Sequence, residues 1–281
     1  MLGKLFRHEW KATARLLLLL YLAVPALFLA GWLIRLIGNK FLILFPAILL
    51  VCAGVALFFL TFAFLIMRYH KSMFGNEGYL TQTLPVGKGS LLFVKLCTSF
   101  LWVILSTAAA ILAVGLGLWL ADINLIDAVS QFFAILRSQA PEPVYQFMIG
   151  LVIGSAVVGA LGFLIEVFFA VTLANTGPFL KNNIVFSFLF YLAAATVMSI
   201  VSSLLTTFVP ISLRFSGEGV SLAAENMMGM MAESFQTPAS GALPASGNMN
   251  IGLAGFVFQL AALVGLVILT HWLLKKKTSV K

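Results

Sequence analysis

FLILFPAILLVCAGVALFFLTFAFLIM, residues 41–67, contains no charged side chain and is followed at once by Arg68-Tyr69-His70-Lys71. A helix of this length exceeds the roughly 18 residues needed to cross a hydrocarbon core of about 30 Å. The basic cluster at its end marks a membrane boundary on the side where Lys and Arg accumulate, which the positive-inside rule identifies as the cytoplasm. Five more runs share this character: Leu16 to Ile34, Leu91 to Ala121, Tyr145 to Thr172, Ile184 to Val209 and Ile251 to Leu274. With the N-terminus inside, only Arg35, Lys40, Arg137 and Arg214 fall outside among the seventeen Lys and Arg residues. The expectation is an all-α integral membrane protein with six transmembrane helices and both termini cytoplasmic.

Composition agrees with that architecture. Hydrophobic residues make up 62% and charged residues 9% of the chain, and mean hydropathy is +1.09, whereas soluble domains carry about 25% charged residues. The formal charge of +8 does not indicate nucleic acid, because the cations sit at membrane boundaries where anionic lipid headgroups lie. Cys52 and Cys97 have no CxxC spacing and no adjacent His, so they read as apolar packing residues.

The basic stretch before Leu16 imitates a signal peptide. It contains Glu9 and Trp10, however, and the following apolar run has no clear small-x-small site, so it reads as a retained first helix. Residues 1–15 place Leu2, Leu5, Phe6 and Trp10 near one face and Lys4, Arg7, His8 and Lys11 mostly on another. That pattern suits an interfacial helix at the headgroup boundary, the alternative being a topology signal without fixed structure.

The segment between spans two and three, residues 68–90, is the most informative inner loop. Gly75 and Gly78 permit tight bends, and Pro85 disfavours helix at Leu84. Tyr79, Leu80 and Leu84 then form an apolar element at the cytoplasmic surface, either a docking knob for a protein or a segment folded back on the bilayer. Gly87-Lys88-Gly89-Ser90 is not a phosphate-binding loop, because it lacks the GxxxxGK[ST] spacing and a preceding strand. If ATP drives this protein, another chain binds it.

Leu5-Phe6-Arg7-His8-Glu9-Trp10-Lys11-Ala12-Thr13 and Glu77-Gly78-Tyr79-Leu80-Thr81-Gln82-Thr83-Leu84-Pro85-Val86 resemble the ABC transporter permeases of the type-2 exporter class, in the form common in Gram-positive bacteria. The resemblance implies a connecting helix over residues 1–15 and a six-helix permease domain over 16–281, in a bacterial cytoplasmic membrane. It also implies a coupling element that docks on a separate ATP-binding subunit, here represented by Glu77, Tyr79, Leu80, Thr83, Leu84, Pro85 and Lys88. ATP and Mg would reside on that subunit, so the chain itself would carry no cofactor and no enzymatic activity. A second permease, a copy or a paralogue, would complete a path for a drug, antimicrobial peptide, lipid or other hydrophobic or amphipathic solute. Residues 173–183, with the Gly177-Pro178 break, would be either a smaller ATPase contact or a plain connector.

Glu166 is the acidic residue within a span, and a charge at such depth is costly. It is either a substrate-path residue or a Glu hydrogen-bonded to Thr172 or Ser199. His8, His70 and His271 are scattered near the inner surface and suit interfacial anchoring. Gly150 with Gly154, and Ser155 with Gly159, have the spacing of a close helix contact, within one chain or between two. Outside, residues 122–143 suggest an amphipathic helix, and Ser212 to Asn250 a short packed helix within a flexible loop. The competing functional classes are an ATPase-independent protein, for instance an immunity factor that binds an antimicrobial peptide, and a membrane-embedded enzyme.

Overall fold

The computed structural model describes residues 2–75, 77–78, 86–139, 142–176, 179, 182–216, 219–224, 226–229 and 249–276. Helices dominate, and six are long and apolar enough to cross a membrane: Leu2–Arg35, Phe41–Phe74, Lys88–Leu120, Val144–Ala174, Asn183–Phe208 and Ala254–Lys275. Their outward surfaces expose large apolar side chains such as Phe41, Phe45, Phe59, Ile184 and Val264, a surface suited to hydrocarbon rather than water. The chain divides into two compact units, one up to Gln131 and the other from Phe132.

In the first unit, α1 spans Leu2–Tyr21 and α2 spans Ala23–Arg35. The helix continues through the Arg15–Leu16 junction where composition changes from basic to apolar, and breaks at Leu22 instead. Pro25 explains the position, since it has no N–H to offer the Tyr21 carbonyl and its ring crowds that group. Beyond α2, Gly38 adopts φ +79°, which glycine accepts without steric cost. Asn39 then caps α3 (Lys40–Phe74), its side-chain oxygen accepting from the Phe41 amide at 3.1 Å. The next helix, α4 (Lys88–Leu120), packs along α3.

Small residues permit that approach. A Cβ on Gly117 would stand 2.8 Å from the Ala47 carbonyl oxygen, and one on Gly54 would stand 3.0 Å from the Ala110 carbonyl oxygen. Val24, Ile43, Ala47, Leu50, Leu57, Ala113 and Leu120 are buried together where α2, α3 and α4 meet.

The far end of α4 closes with a Schellman arrangement, in which the Ile123 amide donates to the Leu118 carbonyl at 2.9 Å and the Asp122 amide to the Trp119 carbonyl at 3.2 Å. Asp122 occupies the left-handed position at φ 59°, which Asp tolerates better than most residues. Arg35 secures this turn: it donates to the Trp119 carbonyl at 3.0 Å, pairs with the Asp122 carboxylate at 2.5 Å and lies 4.4 Å above the Trp119 ring centroid. Because the two side chains are 30% and 58% exposed, Arg35→Gln is expected to cost about 1 kcal/mol or less. The loss should shrink in molar salt, which screens exposed pairs, and thermal unfolding in detergent at low and high salt measures it.

Helix α5 (Leu125–Gln139) follows, with Ile126, Val129, Phe132 and Phe133 exposed. In the second unit, α6 (Glu142–Ala174), α7 (Asn183–Phe208) and α8 (Ala254–Lys276) pack against one another. No residue of α7 is buried. Gly255 brings α8 close to α7: a Cβ there would lie 2.7 Å from the Ser202 carbonyl oxygen. The small residues Gly150, Gly154 and Gly159 behave differently, because nothing among the described residues comes within 4 Å of a Cβ placed on them.

Between α7 and α8 the structure adds a sheet to the short helix expected there, of which the described residues 227–229 are helical. Strands β1 (Ser212–Ser216), β2 (Gly219–Ala223) and β3 (Met249–Gly252) form an antiparallel sheet in the order β2-β1-β3. Leu213 pairs with Leu222 on one side and Ile251 on the other. It is buried with Val144 of α6, alongside Met148, Leu151 and Val220, so period-two alternation over a few residues supplies the sheet's apolar side. Residues 230–248, which include Met230 and Met231, lie outside those described.

Candidate functional site

The most concentrated chemistry in the first unit lies near the N-terminal half of α1, the C-terminal part of α3 and the start of α4. Lys95 occurs in an otherwise apolar stretch of α4 and is only 4% exposed. Its Nζ donates to Glu9 Oε1 at 2.6 Å and to Ser72 Oγ at 2.6 Å. The other Glu9 oxygen, Oε2, lies 3.5 Å from an Arg68 terminal nitrogen. One carboxylate from α1 therefore serves a cation from α4 and a cation from α3. An unpaired charge at this depth would be strongly unfavourable, and charge-assisted hydrogen bonds of this length are about twice as strong as neutral ones.

Aromatic packing holds α1 in the register that the ion pairs require. Trp10 stacks on Trp102 of α4 with ring centroids 4.6 Å apart, and Phe6 stacks on Trp10 at 6.0 Å. Tyr21 also tilts against Trp102, with ring centroids 6.0 Å apart. Thr13, 1% exposed, returns its hydroxyl proton to the Glu9 carbonyl at 2.5 Å. The same return to a carbonyl four residues earlier occurs at Thr61, Thr98 and Thr107, which satisfies buried hydroxyls within their own helix.

Beside this cluster, a cleft of about 380 Å³ separates one face of α1 from one face of α3. Ala12, Arg15, Leu16 and Leu19 line it from α1, and Phe64, Met67, Arg68 and Lys71 from α3, with Glu77 at its margin. Each set follows i, i+3, i+4, i+7 spacing, the signature of one helix face. Glu77 stands 3.7 Å from Lys71, both side chains being largely exposed.

Of the expected coupling residues, Glu77 and Lys88 are placed, Glu77 at the cleft margin and Lys88 as the first residue of α4. Tyr79, Leu80, Thr83, Leu84 and Pro85 lie outside the described residues. The chain on either side is defined: α3 stops at Phe74, the Gly78 amide donates to the Gly75 carbonyl at 2.8 Å, and α4 starts after Gly87.

Glu166 is partly buried on α6 in the second unit, and among the described residues it has no hydrogen bond or ion pair. Thr172, an expected partner, donates instead to the Phe168 carbonyl at 2.7 Å. The turn after α6 is built on Asn175, 1% exposed, whose amide donates to the Val171 carbonyl at 2.8 Å and whose Oδ1 accepts from Asn183 at 3.1 Å.

Glu9, Arg68, Ser72 and Lys95 were not expected to act together. Two sequence signals could have found them: Lys95 interrupts an apolar run, and Glu9 is the only acidic residue before Glu77. No protein-family model, curated protein or solved structure matches this chain.

Proposed function

We propose that this chain is the membrane-spanning subunit of an ATP-driven exporter of the ABC type-2 class. It would act with a separate ATP-binding subunit and a second permease, in a bacterial cytoplasmic membrane with both termini on the ATPase side. The observation that carries the proposal is the Glu9 clamp. It joins the N-terminal helix to α3 and α4, the helices that precede and follow residues 75–87 in the chain, and the sequence of residues 77–86 resembles the coupling element of that class. In this arrangement a force applied at 75–90 reaches α1, α3 and α4 together, because a mostly buried carboxylate shared by two cations resists separation.

Tyr79, Leu80 and Leu84 supply the apolar contact in this scheme, Thr83 and Pro85 shape it, and Glu77 and Lys88 border it with charge. ATP and Mg belong to the partner subunit, and hydrolysis there shifts the helices between two arrangements that open to opposite sides. Glu166, a carboxyl on α6 without a hydrogen-bonding partner among the described residues, is assigned to the solute path, where it would favour cationic or amphipathic solutes.

A mild-detergent pull-down tests the proposal. Tagged wild type is expected to retain an ATP-binding protein that Tyr79→Asp/Leu84→Asp loses while keeping its elution volume and thermal stability. If wild type retains none when the ATPase is coexpressed, an ATPase-independent binding or immunity protein takes its place.

A further inference from the structure

We propose that the cleft between α1 and α3 holds the phosphate of an anionic phospholipid. Three cations, Arg15, Arg68 and Lys71, face one carboxylate, Glu77, around a space of about 380 Å³ whose remaining lining includes Leu16, Leu19, Phe64 and Met67. The polarity is ordered along the helices. On α1 the cation Arg15 precedes Leu16 and Leu19, and on α3 Phe64 and Met67 precede Arg68 and Lys71. Since α1 leads into its apolar stretch and α3 leads out of one, the charged residues share one end and the apolar residues extend toward the hydrocarbon. An amphiphile with an anionic head and an alkyl tail matches that order; a soluble anion leaves the apolar half unfilled, and a neutral lipid offers no anion to Arg15, which has no ion pair among the described residues, while Arg68 and Lys71 already meet Glu9 and Glu77.

A second observation points the same way. Arg68 gives one terminal nitrogen to Glu9 at 3.5 Å, yet its Nε is buried and has no hydrogen-bond partner among the described residues. Buried donors are rarely left unsatisfied, and an arginine with a free edge is suited to a phosphate oxygen. The volume lies within the range of small-ligand sites, and Lys and Arg near a bilayer surface attract anionic headgroups individually.

This inference does not rest on the transport proposal, and it is tested on this chain alone. The protein is placed in phosphatidylcholine nanodiscs containing a minor fraction of phosphatidylglycerol, and the lipids retained after transfer to detergent are counted by native mass spectrometry. Wild type is expected to retain phosphatidylglycerol in preference to phosphatidylcholine. Arg15→Gln/Lys71→Gln should reduce that preference about tenfold or more, given about one headgroup interaction lost per cation. Leu19→Trp, which fills the apolar half and keeps every charge, should also lower retention. Lys4→Gln/Lys11→Gln removes the same charge from α1 outside the cleft and should leave retention near wild type. The proposal is overturned if wild type shows no preference, if the Lys4/Lys11 variant loses as much as the Arg15/Lys71 variant, or if millimolar inorganic phosphate displaces the lipid.

Discussion

Glu9→Ala is expected to destabilise the protein more than Lys95→Ala, although the two side chains form one ion pair at 2.6 Å. The asymmetry comes from the third member. Removing Lys95 leaves Glu9 with Arg68, 3.5 Å away, so the carboxylate remains paired. Removing Glu9 leaves Lys95, 4% exposed, with only Ser72 Oγ as a polar partner among the described residues. Breaking a buried pair from the side that strands a charge costs about 3–5 kcal/mol, which for a chain of this size lowers the unfolding temperature by on the order of 10 °C. Lys95→Ala should cost less, chiefly through the lost hydrogen bonds and the space left behind. In the double variant Lys95 is no longer stranded, and Arg68 loses its carboxylate just as it does in Glu9→Ala, so the loss in the double variant should fall short of the sum of the single losses by about 0.5–3 kcal/mol. High salt should change these differences little because the pair is buried. Thermal unfolding of the four proteins in one detergent decides the matter; additive losses, or a Lys95→Ala loss larger than that of Glu9→Ala, would show that the clamp does not operate as described.

The six long helices were legible in the sequence because hydrocarbon imposes a length and a composition that few soluble segments imitate. Their ends were legible to within a few residues for the same reason, except at the end of α3, which runs seven residues past Met67 to Phe74 through the basic cluster, and at the N-terminus. There the change from basic to apolar residues at Arg15–Leu16 suggested a boundary, whereas helix continuity is decided by backbone hydrogen bonding and is interrupted only near Pro25. The sheet was obscured because its strands are four or five residues long and lie among Ser, Gly and Met residues, where two or three alternations carry little signal. Glu166 stood out because it was an acid within a predicted span. Glu9 did not, because it lies outside one, and its importance depends on Lys95 being brought beside it from 86 residues away. A charge inside an apolar run announces that it needs a partner, but periodicity cannot say from which helix the partner comes.

The glycines show the same limit and lead to the second large effect. Gly117→Val is expected to prevent accumulation of folded protein or to lower its unfolding temperature by several degrees or more, while Gly154→Val should leave that temperature nearly unchanged. Sequence spacing favours Gly154, which forms a small-xxx-small pair with Gly150, yet nothing among the described residues of its own chain approaches a Cβ there. At Gly117 a Cβ would meet the Ala47 carbonyl oxygen at 2.8 Å, Val51 Cγ2 at 3.0 Å and Leu50 Cβ at 3.2 Å. The first of these belongs to the main chain and cannot rotate away, so α4 must move from α3 and disturb the buried group formed by Leu50, Ala113 and Leu120. Overpacking of a close-packed interior costs about 1–3 kcal/mol and more when backbone must shift. Gly117→Ala, smaller by two methyl groups than Val, should fall between wild type and Gly117→Val. Fluorescence-detected size exclusion and thermal unfolding in detergent give the order directly; a Gly154→Val loss equal to that at Gly117 would mean that the face bearing Gly154 is packed in the folded protein, and a neutral Gly117→Val would mean that α3 and α4 do not meet as closely as this seam requires.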